Sequence, residues 1–228
     1  MIVYGKQVVL YVAKKKPKMI EELYVAKELD SKIFKQLAQV GAKIIRVDSK
    51  KAQALARGGN HQGILAKISP LKMGEKKELL EMKRIVVLCG ISDVGNIGSI
   101  VRSSYALGVD GLVVGGELSE RAMEGIVRAS AGAMLDSFVM SYPKILELIH
   151  ELKEAGFICY GADMGGEEVS KVKKEQKWAL FLGSEGEGLH KKITQKMDKI
   201  ISIEMKNNFD SLNVGVASGI LVHRLVME

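Results

Sequence analysis

From Arg84 onward, five short apolar runs, "RIVVLCGI", "GLVVGG", "FICYGAD", "WALFLGS" and "KIISIEM", recur along the chain. Runs in which nearly every residue is apolar fit strands covered on both faces, the condition of a parallel sheet. Between them lie "NIGSIVRSSYALG", "ERAMEGIVRASAGAM", "PKILELIHELKEAG" and a terminal helix, each with apolar residues at spacings of three and four. That spacing puts one apolar stripe on a helix. The segment 84–228 therefore predicts an α/β domain with a parallel sheet and helices packed on it. It carries no repeat of fixed period and no low-complexity tract.

The first seventy residues alternate helix and strand signals on a smaller scale. "KQVVLYVA" reads as helix, "IEELYVA" as strand, "SKIFKQLAQVG" as an amphipathic helix and "AKIIRVD" as strand, followed by another short helix and the strand "GILAKIS". This predicts a small α/β unit over 1–69. After it, "PLKMGEKKELLEMKR" is polar and lysine-rich, with Pro and Gly at its start, and reads as a linker over 70–83, either flexible or partly helical.

With 228 residues and 47% hydrophobic content, the chain can bury a real core. A net charge of +7 favours a polyanionic partner such as nucleic acid. Cys89 and Cys159 stand outside any C-x-x-C pair, and Cys89 sits in an apolar run, where a thiol behaves as a small buried hydrophobe. The N-terminal charges follow the apolar stretch instead of preceding it, and no run reaches membrane-spanning length. The expectation is a soluble cytoplasmic protein.

Two glycine-rich turns follow strands. "GISDVGNIGS" is not a phosphate-binding P-loop, because Asn96 stands where Lys would be needed, and it lacks the G-x-G-x-x-G of a dinucleotide fold. "LGSEGEGL" lets backbone approach a ligand closely but flanks it with Glu185 and Glu187, a poor setting for pyrophosphate. A neutral or cationic ligand suits it better. Residue by residue, ordinary structural roles stay open: Asn96 as a helix cap, Arg102 as a solvated helix residue, Gly183, Gly186 and Gly188 as turn formers, and Ser211 as an N-cap. Asn213 fits such a role less well. Two positions inside a helix that starts near Ser211, it would neither cap nor favour helix.

Taken together, "NIGSIVR", "LGSEGEG" and "SLNVGVASGI" occur in order between residues 93 and 223. They resemble the three signature motifs of the SpoU-TrmH family of RNA ribose 2′-O-methyltransferases. "VYGKQVVLYVA" and "RGGNHQGILAKI" resemble the ribosomal-protein-L30-like substrate domain of the subgroup that methylates a guanosine ribose in 23S ribosomal RNA. The resemblance implies a C-terminal trefoil-knotted, parallel-sheet (SPOUT-type) catalytic domain, a homodimer, and S-adenosylmethionine as cofactor. Through it, Gly183, Ile203 and Leu212 are expected to bind the cofactor. Arg102 is expected to be catalytic, with Asn96, Glu185, Ser211 and Asn213 fixing the arginine and the ribose. Two positions depart from the family pattern: Asn207 stands where Gly is usual, and Gly215 where Ser is usual.

Methyl transfer to a ribose hydroxyl is an in-line displacement that brings the oxygen within about 3–3.5 Å of the methyl carbon. A guanidinium holds its proton across the working range, so Arg102 is expected to act as a cation on phosphate and developing alkoxide. For RNA binding, the expected residues are Lys14, Lys15 and Lys16 in "KKKPK" and the hydrogen-bonding Asn60, His61 and Gln62 in "GGNHQG". His61 has no histidine at ligand spacing, so no metal is expected. The partner is then 23S ribosomal RNA or an assembly particle. Transfer RNA remains a rival substrate, and an inactive RNA-binding assembly factor a rival role.

Overall fold

The first unit is built on a four-stranded mixed sheet. Its strands are β1 (Ile2–Tyr4), β2 (Ile20–Val25), β3 (Lys43–Arg46) and β4 (Ile64–Ile68), in the order β1-β4-β2-β3. β4 runs antiparallel to both its neighbours, and β2 pairs in parallel with β3. The helices α1 (Lys6–Lys15), α2 (Ser31–Ala38) and α3 (Ser49–Leu55) fall where the periodicity predicts them. Asp30 and Asp48 cap α2 and α3 by accepting from the N–H groups of Lys32 and Lys51. The short β1 was not legible, because three residues carry too little alternation to register.

The computed structural model describes residues 1–173, 175–206 and 211–227. These form two units, Met1–Lys72 with Glu120–Leu135, and Met73–Ser119 with Asp136–Glu228. The helix α6 (Glu120–Ala129) thus belongs with the first sheet and not with the strands that flank it in sequence. Glu124 accepts from the Ile2 N–H at 2.7 Å and pairs with Arg57 at 3.3 Å, while Arg128 donates to the Tyr4 hydroxyl. The predicted division at 69 and 84 assigns this stretch to the second unit. Within the predicted linker, α4 (Lys76–Glu81) is helical and buries Leu79.

The second unit carries six parallel strands: β5 (Arg84–Leu88), β6 (Gly111–Val114), β7 (Phe138–Ser141), β8 (Ile158–Glu168), β9 (Trp178–Leu182) and β10 (Lys199–Ser202). Their order is β10-β8-β9-β5-β6-β7. Of the five apolar runs, those forming β5, β6, β8 and β9 are interior, with β9 buried at every position, whereas "KIISIEM" forms the edge strand β10. α4, α7 (Ile145–Glu154) and α8 (Lys191–Thr194) contribute to one core with Ile85, Val87, Val113 and Phe181. The helix α5 (Val94–Ala106) packs against α9 (Val214–Val226) through small residues: a Cβ on Gly215 would lie 3.0 Å from Ser99 Oγ. β7, in "SFVMSYP", was missed although it is as long as β6 and β10.

Chain order reverses between β5 and β9. From β5 the sheet grows outward through β6 and β7, then crosses to β8, and β9 is laid between β8 and β5. Such a switch point opens a crevice at the carboxyl ends of the strands, where open parallel sheets bind ligands. Burial pushes the thiols of Cys89 and Cys159 up to about 12, so both stay protonated in the folded protein. No helix among the described residues is long and apolar enough to cross a membrane.

Candidate active site at the carboxyl ends of the sheet

Each motif reaches the site through a helix start or a turn. Asp93 caps α5, accepting from the Asn96 N–H at 2.7 Å. Asn96 is therefore not the cap; it lies in the first turn with its side chain free for other partners. Asn213 corrects a second expectation. The backbone is extended there, at φ −50° and ψ 136°, so α9 begins at Val214 and Asn213 is its N-cap. Its Oδ1 accepts from the N–H groups of Gly215 at 2.9 Å and Val216 at 3.4 Å. Ser211 lies outside the helix.

The two ends of the Asn213 amide do different work. While Oδ1 caps α9, Nδ2 donates to Asn96 Oδ1 at 2.8 Å and to Glu185 Oε1 at 2.7 Å. Asn96 Nδ2 donates to the same carboxylate oxygen at 3.3 Å, as does the Val214 N–H, also at 3.3 Å. Glu185 Oε1 thus closes a triangle among three motifs. A carboxylate at this place also sits well against the positive end of α9. Arg102, six residues after Asn96 on α5, is exposed and makes no ion pair or side-chain hydrogen bond with a described residue. At 1.5 Å rise per residue, it stands about 9 Å along the helix from Asn96.

Gly183 follows β9 where the chain doubles back. A Cβ there would lie 2.0 Å from the carbonyl carbon of Gly188 and 2.3 Å from the Leu189 nitrogen. The turn is closed by the Gly188 N–H donating to the Ser184 carbonyl at 3.0 Å. Beside it lies a cleft of about 730 Å³, lined among others by Gly90, Gly115, Ser184, Gly188 and Leu189. Ile203 and Leu212 are half-buried, and neither they nor Gly183 line that cleft. Ser211 is exposed and makes no side-chain hydrogen bond to a described residue, so the structure does not join it to the triangle. Asn207 lies outside the described residues. Gly215 lets α9 approach α5, which accounts for a small residue where serine is usual.

In the first unit, Asn60, His61 and Gln62 do come together, lining a cavity of about 490 Å³ with Lys27, Ser49 and Gln53. Lys14 and Lys15 form the last turn of α1 and Lys16 caps it, and none of the three lines this cavity. A cationic last turn also complements the helix dipole. Sequence reasoning missed Asp93, although an aspartate just before a helical pattern is a legible cap signal. It also missed Gly90, Gly115 and Ser184, which only the sheet order brings to one crevice.

A six-stranded parallel sheet with glycine turns and a polar triangle at its carboxyl ends defines an α/β domain that binds its ligand at the switch point. Residues 83–223 match the model of the SpoU rRNA Methylase family, and residues 2–74 match that of RNA 2′-O ribose methyltransferase substrate binding. The chain belongs to the SpoU rRNA methylase family and is an RNA methyltransferase. It is 31% identical to a protein of Borreliella burgdorferi described as an uncharacterized tRNA/rRNA methyltransferase, over 89% of this chain and 96% of the relative. To the 23S rRNA (guanosine-2′-O-)-methyltransferase RlmB of Vibrio vulnificus it is 27% identical, over 99% of this chain and 96% of that one. The crystal structure of the SpoU methyltransferase AviRb from Streptomyces viridochromogenes in complex with AdoMet superposes with a TM-score of 0.79. It is 22% identical, and the match covers 99% of this chain and 89% of that one.

Proposed function

We propose that this chain transfers a methyl group from S-adenosylmethionine to a ribose 2′-hydroxyl, with a guanosine of 23S ribosomal RNA, free or in an assembly particle, as the target. The observation that carries the reading is the hydrogen-bonded meeting of Asn96, Glu185 and Asn213, which lie up to 117 residues apart in sequence. The choice of RNA is supported by the relative named for 23S guanosine, which this chain matches along nearly its whole length. We assign RNA capture to residues 1–69, catalysis to residues 84–228 and a linking role to residues 70–83. Buried, protonated cysteines suit a reducing compartment, and we place the protein in the cytoplasm.

The residues at the sheet ends fit the cofactor. Glycine backbone and apolar side chains at Gly90, Gly115, Ile145 and Leu189 offer amide contacts and walls for a purine, while Glu147 and Glu187 suit cationic groups. Gly183, Ile203 and Leu212 would hold it from the ends of β9 and β10 and the approach to α9. When bound, it supplies an electrophilic methyl carbon on a sulfonium. The chain's own residues do the remainder. Asn96 and Asn213 hold Glu185 by Oε1, leaving Oε2 to orient the ribose together with Ser211. Arg102, unpaired among the described residues, holds a phosphate and stabilises the alkoxide as the hydroxyl proton passes to phosphate, water or Glu185. The knot implied by the resemblance belongs to the same reading.

Methyl transfer with labelled cofactor to unmodified 23S, 16S and transfer RNA tests the reading; label on a 23S guanosine ribose is the expected outcome. Label on transfer RNA alone would replace the target, and binding of RNA with no transfer would favour the assembly-factor role. Arg102→Ala should lower kcat about 100–1,000-fold. In a pH–rate profile, Arg102→Lys should restore part of that rate with the wild-type pH dependence; a shifted profile at near-wild-type rate would make Arg102 a base.

The outer face of α9 supports a homodimer. Val216 and Ile220, 52% and 36% exposed, are four residues apart and share one side of the helix. We propose that a second copy covers this face. Val216→Asp with Ile220→Lys should convert the dimer to a monomer in analytical ultracentrifugation. An unchanged sedimentation coefficient would remove this face from the interface.

A further inference from the structure

We propose that the cavity of the first unit is a receptor for one acceptor-rich group of unpaired substrate RNA, a phosphate or the carbonyl edge of a base. The inference rests on the reading of the chain as an RNA methyltransferase and adds what its first unit recognises. The side-chain acceptors of Asn60, His61 and Gln62 are already engaged by backbone N–H groups of the protein. Asn60 Oδ1 accepts from the Gln62 N–H at 3.3 Å, His61 Nδ1 from the Gly63 N–H at 3.0 Å, and Gln62 Oε1 from the Lys6 N–H at 2.8 Å. What these three side chains still offer are donors: the Asn60 and Gln62 NH₂ groups and, in neutral His61, the Nε2–H.

The rest of the lining agrees. Lys27 has only donors and makes no ion pair with a described residue, and no carboxylate lines the cavity. Ser49 and Gln53 can turn either way. Arg57, Gly58, Gln62 and Gly63 all lie at positive φ, between 48° and 84°. At Gly63 a Cβ would meet the Lys27 Cγ at 2.3 Å, so the lysine stem crosses the glycine and fixes where the ammonium emerges. The Ala26 N–H donates to the Gly63 carbonyl at 2.9 Å and pins the loop to the end of β2. A set of donors held this way, in about 490 Å³, accommodates a nucleotide-sized group and selects it for its acceptors. Unpaired RNA presents such groups, since its phosphates and the edges of guanine and uracil are open.

Asn60→Asp and Gln62→Glu keep the oxygen that holds the loop and replace the outward donor by an acceptor. Each is expected to raise the KM for RNA by about tenfold or more, with kcat and S-adenosylmethionine binding unchanged. Gln39→Glu, which adds the same charge at an exposed site on the end of α2, should leave KM near wild type. In parallel, ¹⁵N spectra of the full-length protein are recorded with inorganic phosphate, guanosine, uridine and their 5′-monophosphates. Shifts at Gly58, Gly59 and Gly63 with phosphate and both monophosphates identify a phosphate seat, and shifts with the nucleosides but not phosphate identify a base edge. No shift with any probe, or a KM unchanged in both variants, overturns the proposal while methylation itself stands. Failure of the wild type to methylate any RNA would instead defeat the underlying reading, and the spectra would still report on the cavity.

Discussion

Gly183→Ala should lower the unfolding free energy by about 3 kcal/mol and abolish cofactor binding. The added carbon would sit 2.0 Å from the Gly188 carbonyl carbon and 2.1 Å from its oxygen, and backbone cannot swing aside as a side chain can. Opening the turn would also break the Gly188 to Ser184 hydrogen bond. Gly186 gives the comparison: it has φ +92° but open space around it, so Gly186→Ala should cost only about 1 kcal/mol. Urea denaturation and calorimetric titration with S-adenosylmethionine measure both effects. Equal midpoints for the two variants would mean that the close backbone approach at Gly183 does not constrain the fold.

Asn213 allows folding and catalysis to be separated, because its two amide ends serve different partners. Asn213→Ala removes both and is expected to cost about 1 kcal/mol of stability through the lost cap. It should also slow methyl transfer about 10–100-fold, the scale of hydrogen bonds to a charged group. Asn213→Ser keeps an oxygen able to cap α9 but has no NH₂ to reach Asn96 Oδ1 and Glu185 Oε1. Its stability should stay near wild type while its rate falls as far as that of the alanine variant. Full activity in Asn213→Ser would show that the triangle does not support the reaction.

The parts of the fold that repeat a local pattern were legible. The runs at Ile85, Leu112 and Leu180 announce buried parallel strands because such strands need apolar residues on both faces. β1, at three residues, is too short to declare a period, and pairing with the longer β4 defines it; β7 is as long as β6 and is defined by pairing with it at the sheet edge. The start of α9 was misread because Ser211 and Asn213 are both capping residue types; the extended backbone at Asn213 decides between them. Motif order pointed to Asn96, Glu185 and Asn213, but that one carboxylate oxygen serves both amides depends on distances no periodicity encodes. The placement of α6 with the first sheet was equally hidden, since its amphipathic pattern shows that it packs without showing against what.

The position of β9 bears on how the protein comes into being. β5 and β8 leave the ribosome before it, yet they never pair with each other; the central place in their sheet waits for residues 178 to 182. Until then two apolar strands present unpaired edges, the condition under which chains aggregate or mispair. Contacts this distant in sequence also make for slow folding. The Asn96–Glu185–Asn213 triangle closes only after α9 has been made, so a nascent chain lacks a complete site until its last helix has been synthesised.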